Sequence, residues 1–388
     1  MNSVDKITLV CAGICLTLFF SAIPFTATAQ DITLLPSIEI AGEYDDNVYY
    51  TRGFETDDFL IRISPGFKLN YTTELIDLQT KVALDILRYI DETDADRENQ
   101  HYEISGEYQL MEKSSVSAHG SYVKDTTLES EIEETGLADT PMQDRRRYMA
   151  GLGFLHKLSE VWDAGVNYNY TNTHYEWKYN VDYDVNSISV PFSYRFKNQL
   201  DTFTVQPYYT KMNSNVSKID NYGFSFGWRH PFSETLILDA TIGARYTESE
   251  YIFENTTNWA GVAYLDLEKT GEIYSAAIGY NQDLYYSSYG EPIQRYKIYL
   301  NVDRKITKRF TVRFSGNFYV TKSDGDVTDR DDRYYNLTPS LNYKITENYS
   351  LRFAYRFSEY NQKEREIDPK KDRNRVWLAL RFRFPKKW

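Results

Sequence analysis

The chain is poor in the residues that carry most enzyme chemistry. Only two of its 388 residues are cysteine, Cys11 and Cys15, and both lie in the N-terminal apolar stretch. From residue 30 onward there is no thiol, which excludes a disulfide scaffold, thiol catalysis and cysteine metal sites together. Five histidines (His101, His119, His156, His174 and His230) are scattered along the chain. The best catalytic grouping is His119 between Ser117 and Ser121, and no nucleophile-elbow motif or metal-ligand spacing accompanies it. No enzyme activity, cofactor or metal is therefore expected. Long apolar runs are missing too, apart from one at the N-terminus, so a helical polytopic membrane protein is excluded. The net charge is −12 and no Lys/Arg block occurs, which argues against nucleic acid as a partner.

The N-terminus has the form of an export signal. Lys6 precedes an apolar stretch from Ile7 to Phe20, and Ala27-Thr28-Ala29 suits cleavage before Gln30. Neither cysteine follows a lipoprotein box. The expected organisation is a cleaved signal peptide at 1–29 and a single domain over 30–388.

Aromatic residues make up 16% of the chain, with 35 tyrosines, and they fall in a strict rhythm. In the last segment Val376, Leu378, Leu380, Phe382 and Phe384 share one parity, while Arg375, Trp377, Ala379, Arg381 and Arg383 share the other. Only an extended strand separates these two sets. The pattern recurs at Tyr349–Ser358, Phe310–Val320, Leu236–Ile242, Tyr222–Trp228, Ile188–Tyr194 and Leu78–Ile86. Eight short polar turns alternate with nine longer, charged loops, at about 45–57, 91–99, 125–145, 173–183, 213–220, 247–257, 284–293, 321–332 and 361–373. The fold class is all-β: a transmembrane antiparallel up-and-down barrel of about 18 strands, with both termini on the short-turn, periplasmic side. Trp162, Phe232, Phe310 and Tyr349 near the short turns read as an interfacial girdle, which argues against a soluble β-sandwich or propeller. Pro65, Pro191, Pro207 and Pro339 fall inside strands, so 16 strands is the second choice. Bacterial outer-membrane lipids and lipopolysaccharide are the expected surroundings. Trp388 keeps the parity of Phe382 and Phe384 after the Pro385-Lys386-Lys387 insertion, and this aromatic end is similar to the signal read by the barrel-assembly machinery.

The inward faces then become the functional surface. The C-terminal wall carries Arg295, Lys297, Arg313, Arg352, Arg356, Arg375, Arg381 and Arg383, with Tyr299 and Tyr319 interleaved. The N-terminal wall carries Glu39, Glu43, Asp77, Asp85, Glu103 and Glu107, with Lys68 and Lys81, so opposite charges should meet at the closing seam. Two readings of the basic ladder stand side by side. It pairs with lumen carboxylates and orients the channel field, or it is a track for an anionic or sugar polymer. The acidic loop at 125–144 is read as a solvated loop long enough to fold inward, and Asp324, Asp326, Asp329, Asp331 and Asp332 as a second solvated acidic stretch.

Near the start of the mature chain, Tyr44-Asp45-Asp46-Asn47-Val48-Tyr49, Asp57-Asp58-Phe59 and Ser64-Pro65-Gly66 resemble the opening of the putative beta-barrel porin 2 family. The resemblance implies an outer-membrane conduit for an exported exopolysaccharide, working with a periplasmic or inner-membrane polysaccharide export protein. The readings set against it are a general small-solute diffusion porin and a closed structural or adhesive barrel.

Overall fold

Alternating side chains commit each segment to an extended ribbon with one face for lipid and one for the lumen. The computed structural model describes residues 31–138, 140–197, 200–251, 254–325, 330–362 and 370–388. The signal segment, the expected mature start at Gln30, Asn198-Gln199, Asp139, Asp326 and Asp329 lie outside the described residues.

The strand segments begin with β1 (Asp31–Asp45), β2 (Asp58–Thr72), β3 (Ile76–Tyr89), β4 (Arg97–Met111), β5 (Ser114–Thr126), β6 (Asp144–Lys157) and β7 (Trp162–Tyr175). They continue through β8 (Tyr183–Ser189), β9 (Phe192–Arg195), β10 (Thr202–Ser214), β11 (Ser217–Ser233), β12 (Leu236–Tyr251), β13 (Asn255–Thr270) and β14 (Tyr274–Tyr286). The last are β15 (Pro292–Lys305), β16 (Phe310–Ser323), β17 (Asp331–Lys344), β18 (Tyr349–Gln362), β19 (Lys371–Arg383) and β20 (Lys386–Lys387). They form a closed antiparallel barrel of 18 staves, because β8 with β9, and β19 with β20, are each one stave interrupted by a proline. Closure is direct: Ile40 of β1 faces Ile63 of β2 on one side and Leu380 of β19 on the other. The 16-strand alternative is thereby excluded.

Pro65, Pro191 and Pro339 cost ladder bonds without shifting register, whereas the β11–β12 register slips by one residue just after Pro231. β10 pairs Tyr208 with Ser189 and Val205 with Phe192, so the same register runs past Pro191. Pairing pauses around Pro65, between Ile63↔Ile86 and Gly66↔Ala83, and around Pro339, between Leu337↔Phe357 and Ser340↔Ala354. A missing N–H removes one bond, and the continuous ladder on either side holds the strand in place. After Pro385 the chain rejoins β1. The Trp388 N–H donates to the Ile32 carbonyl at 2.9 Å, and the Ile32 N–H donates back at 3.2 Å.

The outward face is apolar and bare: Ile242 is 67% exposed, Leu152 61% and Leu378 51%. Side chains of this kind, repeated around the whole circumference, are at ease only in hydrocarbon. Two of the nine expected long loops are not loops. The described residues of 213–220 and 247–257 are strand almost throughout: β10 ends at Ser214 and β11 begins at Ser217, and β12 ends at Tyr251 and β13 begins at Asn255. Lys218, Asp220, Glu248 and Glu250 alternate with buried Ile219, Asn221, Thr247 and Ser249, so their charge lies on the outer face of strand ends that continue the ladder.

One seam departs from the rule. β13 pairs with β14 only from Ala263↔Gln282 to Thr270↔Ser275, although β12 pairs with β13 over almost its whole length. The upper part of β14 leans across the lumen instead. The Tyr286 ring centroid lies 6.0 Å from that of Tyr183, Val181 N–H donates to Ser288 O at 2.7 Å, and Ser217 Oγ donates to Gly290 O at 2.7 Å. Asp324 fills the gap left in the wall. It takes a two-pronged ion pair from Arg245 at 2.7 and 2.8 Å and a hydrogen bond from Asn258 at 2.8 Å. The solvated reading is corrected here for Asp324, whose side chain is 1% exposed, and for Asp332, which is fully buried and pairs with Arg330 at 2.7 Å.

Candidate functional site: the lumen and its inward loop

The connection between β5 and β6 crosses the lumen rather than reaching into solvent. A short helical segment, Thr127–Thr135, carries it to the opposite wall, where Tyr319 Oη donates to Glu133 O (3.1 Å), Thr321 Oγ1 to Thr135 O (2.6 Å) and Lys371 Nζ to Ala138 O (2.9 Å). Leu128, Ile132 and Ala138 bury against Tyr50, Tyr319, Tyr334 and Tyr360. The acidic residues find cations. Glu129 meets Arg97 at 2.9 Å, and Glu134 takes both prongs of Arg145 at 3.0 Å and also pairs with Arg147. The solvated reading of 125–144 is corrected: apolar residues interspersed with the acidic ones give the loop a core face, and the lumen supplies the counter-charges.

Electrostatics fix this dock. Burial opposes ionisation of Glu129, yet the Arg97, Arg375 and Arg373 guanidiniums outweigh it and hold the carboxyl at about 2. Burial opposes ionisation of Glu134 as well, and Arg145 and Arg147 hold it below the usual range.

The ladder of the C-terminal wall divides into three groups. Arg295, Tyr319 and Arg356 dock the loop: Arg295 donates to Glu134 O and lies 3.6 Å from the Tyr285 ring centroid, and Arg356 stands 3.7 Å from the Glu133 carboxylate. Arg313, Arg375, Arg381 and Tyr299 are held by lumen carboxylates, namely Asp303, Glu43 (3.6 Å), Glu39 and Asp266 respectively. Among the described residues Lys297, Arg352 and Arg383 form no ion pair. Lys297 sits 5.1 Å from the Tyr319 ring centroid and Arg352 lies over Trp377 at 5.8 Å. The expected meeting of opposite charges at the seam is present, with Arg373 on Asp45 at 2.9 Å beside the Glu39 and Glu43 pairs. Near the short-turn end the lumen charges are more open, as in Lys81–Glu103 at 3.1 Å and Arg229–Asp239 at 3.0 Å.

A second lumen feature has no counterpart in the sequence reading. Between the loop and the wall of β6–β11 lies a cavity of about 230 Å³, lined by Glu134, Arg147, Tyr183, Tyr208, Asp283 and Tyr286 among others. Those six residues come from five separate segments of the chain, so no local spacing announces them. The chain does hold the letters of a nucleophile elbow, Gly223-Phe224-Ser225-Phe226-Gly227, far from the His119 grouping. It lies in mid-β11, without the strand-to-helix turn that such chemistry needs. His119 packs onto Gly151 inside the wall.

Comparison with known proteins agrees with the barrel. Residues 28–185 match the family model described as putative beta-barrel porin 2, and residues 287–388 match that of the oligogalacturonate-specific porin protein KdgM. The resemblance read from residues 44–66 is thus borne out. No curated protein matches the chain. Among solved structures, OccK9 (OpdG) of Pseudomonas aeruginosa is similar at 11% identity and a TM-score of 0.46, covering 92% of this chain and 98% of that one. OccK2 (OpdF) of the same organism, solved with glucuronate, is similar at 10% identity and a TM-score of 0.48, covering 92% and 98%. OccAB3 of Acinetobacter baumannii is similar at 14% identity and a TM-score of 0.44, covering 91% and 99%. The two matched families are porins rather than enzymes, and this chain is an outer-membrane β-barrel porin.

Proposed function

We propose that this outer-membrane porin admits short anionic saccharides of the uronate type along the basic wall of β15–β19. The observation that carries the reading is the juxtaposition of Arg356 and Arg375, opposite one another on β18 and β19, on a wall where Lys297, Arg352 and Arg383 form no ion pair among the described residues. Guanidinium groups take carboxylates two-pronged, and tyrosine faces such as Tyr319 offer an apolar surface to a sugar ring. Every ladder residue falls within 287–388, the stretch matching a porin family described as oligogalacturonate-specific, which supports an acidic sugar as cargo.

Exopolysaccharide export, which the family resemblance implied, needs a bore through which a polymer strand slides. The docked loop occupies that path, so short saccharides are the better fit. A general diffusion porin would pass neutral and acidic solutes according to size alone. Liposome swelling separates these readings: digalacturonate should enter faster than a neutral disaccharide, and Lys297→Glu with Arg352→Glu should abolish the difference in a correctly folded barrel. Equal rates for both solutes would favour the general porin. Threading of a long acidic polysaccharide from the periplasmic face would restore export.

A further inference from the structure

We infer that the cavity between the inward loop and the β6–β11 wall is a binding site for a single neutral pyranose ring, separate from the anion ladder. Its volume of about 230 Å³ lies below the roughly 300 Å³ at which drug-sized sites begin, so it suits one ring rather than a chain. A pyranose presents apolar C–H faces and a rim of hydroxyls, and the lining answers both parts.

Tyr208 supplies a platform. Its ring lies directly over Gly223, where a Cβ would come within 1.9 Å of Tyr208 Cζ, so only glycine lets the ring lie flat against the wall. Tyr183 and Tyr286 add two more aromatic walls, with ring centroids 6.0 Å apart. For the rim there are the Asp283 carboxylate, the Thr210 hydroxyl and the Asn221 amide.

Charge selects against an acidic ring here. The one cation in the lining, Arg147, is already engaged by Glu134. Asp283 accepts the Leu284 N–H at 2.7 Å and forms no ion pair among the described residues, so a uronate would face an uncompensated carboxylate. The same carboxylate accepts hydrogen bonds from neutral sugar hydroxyls.

The test is saturation-transfer NMR on the whole detergent-solubilised barrel with methyl glucoside as the probe, which does not depend on an open pore. Methyl glucoside should bind, with affinity at least tenfold lower in Tyr208→Leu and in Asp283→Asn, and unchanged in Arg352→Glu. Gly223→Ala is a second route to the same loss, since it displaces the Tyr208 ring without removing it. Heat-modifiable migration on gels shows that each variant is folded. Absence of probe binding, equal binding in wild type and the Tyr208 and Asp283 variants, or competition by glucuronate as strong as by a second neutral ring would each overturn the assignment. Failure of the anion ladder would appear separately, as glucuronate binding indifferent to Arg352→Glu.

Discussion

Arg356 and Arg375 stand opposite one another on β18 and β19, two guanidiniums in one cross-strand position, and each is answered by a carboxylate from elsewhere. Glu133 of the inward loop lies 3.7 Å from Arg356, and Glu43 of β1 lies 3.6 Å from Arg375. Like charges directly opposed destabilise a strand pair, so the pair persists because other elements compensate it. Among the ladder residues it is the one pair of cations directly opposed across strands.

Removing half of it should be felt by an anionic cargo. A hydrogen bond to a charged group contributes about 1.5–3 kcal/mol, so Arg356→Gln should weaken digalacturonate binding by roughly ten- to a hundredfold while the barrel stays folded. Titration by current block or NMR reads this out, and undiminished affinity would remove Arg356 from the cargo path.

The inward loop is held by an apolar face as much as by charge. Ile132 is 4% exposed within a cluster that includes Tyr50, Tyr319, Tyr334 and Tyr360. Ile132→Asp places a carboxylate in that cluster and should release the loop, because a buried charge without a partner is strongly disfavoured. Single-channel conductance should rise with no change in heat-modifiable migration. Conductance equal to wild type would mean that the loop does not set the bore.

The pH dependence of the dock follows from two carboxyls. Glu129, held at about 2, and Glu134, held below its usual value, both ionise at lower pH in the folded barrel than in a free chain, whose ordinary value is 4.5. Their contribution is therefore complete above that ordinary value and is lost progressively as pH falls from it toward the folded values. Conductance should be flat from neutral pH down to about 4.5 and should rise below it. A rise beginning near pH 6 would contradict the pairing described.

Arg245 and Asp324 form the most buried ion pair of the wall, with side chains 0% and 1% exposed. Asp324→Asn leaves the guanidinium without its counter-charge, and breaking such a buried pair costs about 3–5 kcal/mol. The variant should open the upper gap between β13 and β14 to protease and lower the denaturation midpoint. An Arg245→Met, Asp324→Leu double variant should recover much of the loss. Equal protease resistance in wild type and Asp324→Asn would show that the latch is not what seals the gap.

Period-two alternation was enough to specify the barrel. It assigned the 18 staves, their faces, the short-turn end and the lumen position of residues such as Arg352 and Arg381, because side-chain alternation in a strand is a local consequence of backbone geometry. The short polar turns counted in the sequence fall between strands for the same reason, as at Glu112-Lys113, Thr307-Lys308 and Glu347-Asn348. Where Lys218 and Glu248 led the reading to loops, outward charge on strands that continue upward had the same appearance as loop charge.

What only the tertiary structure decided is where the acidic loop goes and what its charges meet. Glu134 contacts Arg295, 161 residues away, and Ala138 contacts Lys371, 233 residues away. No window of sequence contains both partners. The same holds for Asp324 on Arg245 and for the cavity lined by Glu134, Tyr208 and Asp283. The alternating pattern determined by itself that a lumen exists and which side chains face it. Which of those side chains remain open to a solute was decided by closure of the barrel, which brings distant charges within reach of one another.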